Sequence, residues 1–182
     1  MKRKLTKKDI LKYLEVLNTK LAERGKFGEI ILCGGAALTL VYSARSSTHD
    51  IDAVFNPKED MKEIIDEIAR ENNLNSQWLN DDVYMFIKEF KNLTSSKYTS
   101  FSNLTVSVLD AESLLAMKFV SARENTYDLS DAVILMKSLK IENVEQVYVL
   151  LKKYEFPLHP DALRESMIFA KQAFNEYINN NS

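Results

Sequence analysis

The stretch that decides the fold runs from residue 29 to residue 55 and reads EIILCGGAALTLVYSARSSTHDIDAVF. Its β-branched start predicts a buried strand over residues 29–33, which delivers the chain to a tight turn at Gly34-Gly35. A short helix from Ala36 to about Ser43 and a polar turn follow, and a second strand begins at Asp50. If the two strands are antiparallel neighbours, the glycine turn and Asp50 lie at the same end of a sheet.

The rest of the chain changes from a mixed pattern to a purely helical one. Apolar residues at helical spacing predict further helices that begin near Lys7, Pro57, Leu114, Leu129, Val144 and Pro160. Short apolar runs predict strands at Val83–Ile87 and Leu104–Leu109, with a polar connection over residues 91–97. We therefore expect an α+β fold: a small mixed or antiparallel sheet with helices on one side, followed by a C-terminal helical bundle. The expected boundaries are 1–109 for the α/β core with its N-terminal helix and 110–182 for the helical portion.

The composition is that of a folded domain and excludes several classes of protein. The 182 residues are 46% hydrophobic and 27% charged, with only 4 Gly and 3 Pro, which argues against a disordered chain. No apolar run approaches the roughly 20 residues that a membrane span needs. The single Cys33 cannot form an intramolecular disulfide, and no signal peptide is visible. We therefore expect a cytoplasmic protein with no membrane partner.

The overall charge argues against a dedicated nucleic-acid coat protein. The chain has 24 Lys+Arg against 26 Asp+Glu, a net charge of -2, so there is no global attraction to phosphate backbones. Any contact with a nucleic acid must come from a local patch. The first eight residues form one basic cluster, which is either such a patch or a solvated tail: Lys2, Arg3, Lys4, Lys7 and Lys8.

Asp50 and Asp52 form the first candidate site. Two residues apart on a strand, their carboxylates leave the same face of the sheet. Two like charges held close together are costly unless a cation neutralises them, and hard oxygen ligands without nearby Cys or His suit Mg²⁺ or Mn²⁺. The alternative is that Asp50 caps a strand end while Asp52 lies on an exposed edge.

Gly34 and Gly35 form the second candidate site. Where a strand turns into a helix, backbone N–H groups that no Cβ obstructs can seat phosphate oxygens. An ordinary tight turn is the alternative for any pair of glycines. The spacing to Asp50 and Asp52 favours the functional interpretation, because it brings a phosphate seat and a cation seat to the same end of the sheet.

Three other positions near these motifs have both a functional and a structural interpretation. The turn that contains Arg45, Ser46, Ser47 and Thr48 supplies donors for a phosphate or a ribose, or is simply a solvated loop. We interpret His49 as a turn residue rather than a base, since an oxygen activated by a metal needs no separate strong base. We interpret Trp78 as a core residue rather than a stacking platform for a nucleobase.

These motifs resemble a known superfamily. Leu32–Gly35 followed by Asp50–Val54 resembles the hydrophobic-Gly-Gly/Ser and Asp-X-Asp/Glu signature of the polymerase-beta-type nucleotidyltransferases. Leu114–Lys118, then Ala122-Arg123, then Tyr127–Asp131 is similar to the Lys helix and Asp-X-X-Asp helix of abortive-infection (AbiEii-like) nucleotidyltransferase toxins and related uncharacterised bacterial proteins. Trp78-Leu79-Asn80 is similar to a feature of one such group. The resemblance covers about residues 29–139.

The resemblance implies an enzyme that moves a nucleotidyl group from a nucleoside triphosphate to an acceptor. It implies that Asp50 and Asp52 hold Mg²⁺ or Mn²⁺ ions that bridge the triphosphate. The nucleotide would contact Gly34, Gly35, Arg45, Ser46, Thr48 and Lys118. The resemblance leaves the acceptor unknown: its toxin branch suggests an RNA such as a tRNA end, with an antitoxin protein as a partner, and a small molecule or a protein is the alternative acceptor.

The helical motif leaves its own alternatives open. Lys118 is either the cation that fixes the phosphates or a surface lysine whose stem covers apolar residues. Asp128 is better interpreted as a helix N-cap, whereas Asp131, which faces back toward the Lys118 helix, is the better functional candidate.

One departure from the superfamily pattern bears on activity. Members often carry a third carboxylate on a later strand, and residues 105–109 read TVSVL without an acid. Asp110 follows directly, but its place before a helix is typical of an N-cap. The alternative function is therefore a catalytically degenerate domain that keeps the fold and binds a nucleotide or a protein.

Overall fold

The computed structural model describes residues 4–121, 127–154, 156, 157 and 159–180. The chain divides into two compact units. The first, called the sheet unit below, comprises Met1–Phe86 and Ser95–Leu109. The second, called the helical unit, comprises Ile87–Thr94 and Asp110–Ser182.

Strands and helices are interspersed up to residue 109, and the described residues that follow form helices and no strand. The strands are β1 (Leu5–Thr6), β2 (Gly28–Leu32), β3 (Ser47–Thr48), β4 (Ile51–Asn56), β5 (Leu79–Asn80), β6 (Ser95–Ser100) and β7 (Leu104–Leu109). The helices are α1 (Lys7–Glu23), α2 (Gly34–Leu40), α3 (Lys58–Glu71), α4 (Tyr84–Ile87), α5 (Ala111–Ser121), α6 (Asp128–Leu139), α7 (Val144–Lys153) and α8 (Pro160–Asn179).

The main sheet is mixed, with the strand order β5-β4-β2-β7-β6. β2 is antiparallel to β4, with Leu32 opposite Ala53, and parallel to β7, with Leu32 opposite Val108. β5 runs parallel to β4, and β6 runs antiparallel to β7. The antiparallel pairing predicted for the first two strands is confirmed, as is the α+β fold class.

Helices cover one face of this sheet, as predicted. Side chains of β2, β4 and β7 alternate between a buried face and a half-exposed face, as the period of a strand requires. A Cβ built on Gly28 of β2 would lie 2.7 Å from Met61 Sδ of α3 and 3.0 Å from Leu21 Cδ1 of α1. Both helices therefore pack directly on the buried face, and Asp52 projects from the other one.

Two regions differ from the sequence prediction. The run Val83–Ile87 was expected to be a strand, but Tyr84–Ile87 forms one helical turn, because a short apolar run does not distinguish the two structures. The connection expected over residues 91–97 contains the start of β6. β6 has the polar sequence SSKYTS and is an edge strand, which is held by backbone pairing to β7 and does not need an apolar face.

Two helix and strand boundaries near the motifs also shift. α2 begins at Gly34 and ends at Leu40, whereas the sequence predicted Ala36 to about Ser43. β4 begins at Ile51, so that Asp50 lies in the bend before the strand. Boundaries are the least certain part of a sequence pattern, because no side-chain periodicity marks them.

The helical unit is built from α5 to α8. Each of these helices contains one of the predicted periodic segments, and the ring centroids of Phe119 on α5 and Phe169 on α8 lie 6.3 Å apart. Ala122 and Arg123, which belong to the resemblance, lie outside the described residues. Within the described part of the chain, no helix combines the length and the apolar character that crossing a bilayer requires.

Candidate functional site

The end of β2 brings the first glycine against an acidic side chain. The Cys33 N–H donates a hydrogen bond to the Asp52 carbonyl oxygen at 2.9 Å, which continues the antiparallel pairing up to the turn. Gly34 has a φ of +51°, and a Cβ built on it would lie 2.9 Å from Asp52 Oδ2. Two features therefore require glycine at this position: the left-handed backbone and the nearby carboxylate.

The second glycine lies under the polar turn. A Cβ on Gly35 would be 2.6 Å from Thr48 Oγ1 and 3.3 Å from Arg45 Nη1. Two of the side chains that the sequence proposed as phosphate contacts therefore lie directly over the Gly35 backbone. The structure brings together Gly34, Gly35, Arg45, Thr48 and Asp52, a group that we call the glycine-aspartate cluster.

The N-terminal segment holds the polar turn in place. Leu5 and Thr6 of β1 pair antiparallel with Thr48 and Ser47 of β3, and Leu5 is buried. The Lys7 ammonium donates a hydrogen bond of 2.7 Å to the Leu40 carbonyl at the end of α2. These contacts link a distant part of the sequence to the turn, and the motif did not indicate them.

Asp50 and Asp52 both keep part of their surface in contact with solvent. Asp50 is half-exposed in the bend before β4, and Asp52 is half-exposed in the strand. Ser46 and His49 are exposed beside them, and His49 occupies a turn, as predicted. The two carboxylates therefore sit at the accessible end of the sheet, where an ion from solution can reach them.

The pKa of the Cys33 thiol reflects the surroundings at this end of the sheet. Burial, as the larger cause, and the negative charge of Asp52 together raise the pKa of the thiol to about 12. Cys33 therefore remains a neutral thiol at neutral pH.

The neighbouring strand β7 supplies no third acid. The register of β2 and β7, extended by one residue, sets Leu109 beside Cys33, and Leu109 is buried and apolar. Asp110 caps α5, as predicted, since its Oδ1 accepts a hydrogen bond from the Ser113 N–H at 2.8 Å. Among the described residues, no three His, Cys, Asp or Glu side chains are grouped closely enough to hold a metal ion.

The strand on the other side of β4 contributes a polar neighbour whose place the sequence did not predict. β5 pairs Asn80 with Asp52 in parallel register. The buried Asn80 side chain accepts a hydrogen bond from the Asp82 N–H at 3.1 Å and donates one to the Gln77 carbonyl at 3.3 Å. Its amide thereby fixes the chain next to Asp52. Only the strand pairing reveals this, because the two residues are far apart in sequence.

Trp78 is a core residue, as predicted. Its indole N–H donates to the Ile65 carbonyl at 3.1 Å, and its ring lies edge-on to Tyr13 at a centroid distance of 5.5 Å. The buried ring is therefore not available to stack on a nucleobase.

The helical unit holds the second candidate group, which we call the lysine-aspartate cluster. Lys118 Nζ of α5 lies 2.5 Å from Asp128 Oδ1 and 2.9 Å from Asp131 Oδ2, both on α6. The exposed fractions of the side chains are 14% for Lys118, 12% for Asp128 and 1% for Asp131. The surface-lysine alternative is wrong, and the expectation that Asp131 faces the Lys118 helix is confirmed. The N-cap interpretation of Asp128 is also wrong, because Tyr127 occupies that position.

The mixed α+β fold is compatible with that of a nucleotidyltransferase-like domain. One sequence family, described as nucleotidyltransferase of unknown function (DUF6036), matches residues 9–180, and the chain belongs to it. No curated protein and no solved structure matches the chain. The matched region contains both clusters, and the resemblance to nucleotidyltransferases is confirmed at the level of this family.

Proposed function

We propose that the chain is an Mg²⁺- or Mn²⁺-dependent enzyme that moves a nucleotidyl group from a nucleoside triphosphate to an acceptor. The observation that carries the proposal is the contact of the Gly34 backbone with the Asp52 carboxylate, beside Thr48 and Arg45 over Gly35. Acid, glycine backbone and cationic donor thus meet at one end of the sheet. Membership of a nucleotidyltransferase family supports it.

The side chains present fit a hard divalent cation. Asp50 and Asp52 offer carboxylate oxygens without Cys or His ligands, which is the donor chemistry that Mg²⁺ and Mn²⁺ prefer. The space above Gly34 is one that a Cβ would fill. Asp50 and Asp52 would hold the ion, which when bound supplies charge neutralisation for the triphosphate and lowers the pKa of the attacking oxygen.

The chain's own residues bind and orient the nucleotide. Gly34 and Gly35 let the backbone approach the phosphates, while Arg45 and Thr48 donate hydrogen bonds to phosphate oxygens, with Ser46 available beside them. The acceptor hydroxyl gives up its proton to water as its oxygen forms a bond to the α-phosphorus, and the bond from that phosphorus to the α–β bridging oxygen breaks. Pyrophosphate leaves with the electron pair.

Lys118 and Asp131 contribute indirectly in this proposal. The Lys118 ammonium is already paired with two carboxylates, so its charge is more than offset within the helical unit. We assign the lysine-aspartate cluster the role of fixing α5 against α6. A direct contact of Lys118 with phosphate, as the resemblance implies, is the alternative. The Lys118→Met variant distinguishes these two roles.

For the acceptor, we propose an RNA, with a tRNA end as the first candidate. The resemblance to abortive-infection toxins supports this choice and suggests an antitoxin protein as a partner. A small molecule or a protein is the alternative acceptor. We propose that the reaction takes place in the cytoplasm, where triphosphates and RNA are available.

The experiment compares two positions of a radioactive label. The protein is incubated with Mg²⁺, total RNA and each nucleoside triphosphate labelled on either the α- or the γ-phosphate. Nucleotidyl transfer moves the α-label to RNA and releases the γ-label in pyrophosphate, whereas a kinase would move the γ-label. Asp52→Asn should reduce transfer at least about 100-fold, because a metal ion contributes several kcal/mol to such reactions.

Asp66→Asn is the matched control, because Asp66 is an exposed acid on α3, which packs on the opposite face of the sheet from Asp52. It should transfer label at the wild-type rate. Equal rates in Asp52→Asn and the wild type would contradict the proposed site.

The second candidate function is a degenerate domain that binds nucleotide without turnover. Leu109 favours it, because this buried apolar residue stands where β7 comes nearest to Asp52 along the strand pairing. Calorimetry with triphosphate in the presence and absence of Mg²⁺ separates the two functions. Two results together would establish this second function. The triphosphate binds in a metal-dependent way that Asp52→Asn removes, and neither label is transferred.

A further inference from the structure

The helical unit has an apolar groove that its own core does not use. The groove lies between α7 and α8 and encloses about 330 Å³. Its apolar lining consists of Tyr148, Pro160, Leu163, Met167 and Ile168.

α8 has two faces suited to packing, and its own unit covers one of them. The buried face consists of Ser166, Ala170 and Ala173, small residues that allow close packing of a helix. Leu163, Met167 and Ile168 are exposed by 45%, 39% and 59%. Such a stripe at helical spacing is typical of a surface that binds another helix.

The charged residues that line the groove are both basic. Arg164 and Lys171 are exposed on α8, and both line the groove together with the apolar residues. No acidic residue is part of the lining, and in the part of the chain that the structure describes neither cation takes part in an ion pair. The groove therefore complements a ligand that combines apolar side chains with carboxylates.

A second copy of the chain does not fit these charges. A two-fold axis between Met167 and Ile168 would lay α8 against its symmetry mate and set Arg164 opposite Lys171. This contact would bring like charges together in an interface, which is unfavourable.

We propose that the groove binds an acidic amphipathic helix of another protein. From Pro160 to Lys171 α8 rises by about 16 Å, so the ligand is about three helical turns long. Apolar residues three or four positions apart enter the groove, and Asp or Glu residues beside them pair with Arg164 and Lys171. This surface is separate from the two clusters, and the inference does not depend on the enzymatic activity.

The experiment selects ligands from a peptide library displayed on phage against the full-length protein. Each peptide has 18 residues with leucine at three fixed positions of helical spacing, and the flanking positions vary among Glu, Gln and Lys. Peptides with Glu at these positions should be enriched. The dissociation constant of a selected peptide, measured by fluorescence anisotropy, should increase at least tenfold in the R164E/K171E variant.

The matched control is K137E/K140E, which makes the same charge change at two exposed lysines of α6 and its C-cap. This control should bind the selected peptide as the wild type does, and circular dichroism should show that both variants are folded.

Three outcomes would overturn the proposal. These are the absence of enriched peptides, enrichment of Lys at the flanking positions, and equal affinity in wild type and R164E/K171E. A dimer in sedimentation experiments that M167E/I168E dissociates would instead identify a second copy as the occupant and would also overturn it.

Discussion

Asp52 of the sheet unit and Asp131 of the helical unit belong to similar pairs of acids but have different surroundings. Asp52 is half-exposed and lies beside a glycine backbone, whereas Asp131 is only 1% exposed and lies 2.9 Å from an ammonium group. A buried carboxylate needs a cation from its own chain, because no solvent stabilises its charge. A half-exposed carboxylate is also stabilised by water. We propose that the lysine-aspartate cluster contributes stability and that the glycine-aspartate cluster binds the ligand.

The largest expected effect is on stability, from Lys118→Met. The substitution keeps most of the side-chain volume but leaves Asp128 and Asp131 without their ammonium partner. We expect a loss of about 3 kcal/mol in the free energy of unfolding, since removing the cation of a buried ion pair deprives both carboxylates of its compensating charge. Urea denaturation measures it.

Asp52→Asn is the counterpart in the other cluster and should change the free energy of unfolding by less than about 0.5 kcal/mol, as for other partly exposed sites. The double variant Lys118→Met/Asp131→Asn should recover part of the loss. The structural role of the lysine-aspartate cluster is contradicted if Lys118→Met is as stable as the wild type and binds triphosphate weakly. Lys118 would then contact phosphate directly.

The next effect concerns Gly34→Ala, which tests the glycine-aspartate contact. The new Cβ would lie 2.9 Å from Asp52 Oδ2, so the carboxylate must move away, and the backbone φ of +51° adds strain. We expect a loss of about 2 kcal/mol in stability together with weaker metal-dependent triphosphate binding. Chemical denaturation and calorimetry measure the two effects.

Gly25→Ala is the control for backbone strain alone. Gly25 has a φ of +62°, but a Cβ there would meet nothing within 4 Å. It should cost about 1 kcal/mol in stability and leave nucleotide binding unchanged. If both variants bind triphosphate normally, the position of the Asp52 carboxylate does not matter for binding.

The smallest effect comes from a third kind of charged group, which is paired and half-exposed. Glu67 of α3 accepts a hydrogen bond from Lys20 of α1 at 2.7 Å and another from Arg24. The hydrogen bond from Lys20 has the larger effect and the one from Arg24 the next; together they lower the pKa of the Glu67 carboxyl from 4.5 to about 2. Because the folded state has the lower pKa, the stabilisation is present above pH 4.5 and is lost as the pH falls toward 2.

Glu67→Gln should therefore lower the urea midpoint slightly at pH 7, and the difference from the wild type should shrink as the pH approaches 2. The change at pH 7 should be much smaller than that of Lys118→Met, because solvent screens exposed pairs. A difference independent of pH would show that the carboxylate charge is not its cause. Glu15→Gln, an exposed acid on α1, serves as the control.

Secondary-structure elements with a periodic pattern of apolar side chains were predictable from the sequence. The helix over Lys7–Glu23 and the helices α5 to α8 follow from apolar residues three or four positions apart. β6 and α4 were not predictable in the same way. A polar edge strand is defined by the backbone of its neighbour, and four apolar residues fit either structure.

For the candidate sites, the sequence by itself determined the residue types and their order. It supplied glycines after a buried strand, two aspartates at the start of the next, and a lysine followed by an Asp-X-X-Asp helix. These follow from local spacing, because neighbours in the chain share a turn or a strand face. Only the tertiary structure decided that Lys118 is held between Asp128 and Asp131, that β1 supports Thr48 and that Asn80 adjoins Asp52. Such contacts join residues distant in sequence, and strand register and helix packing, rather than local spacing, determine which of them meet.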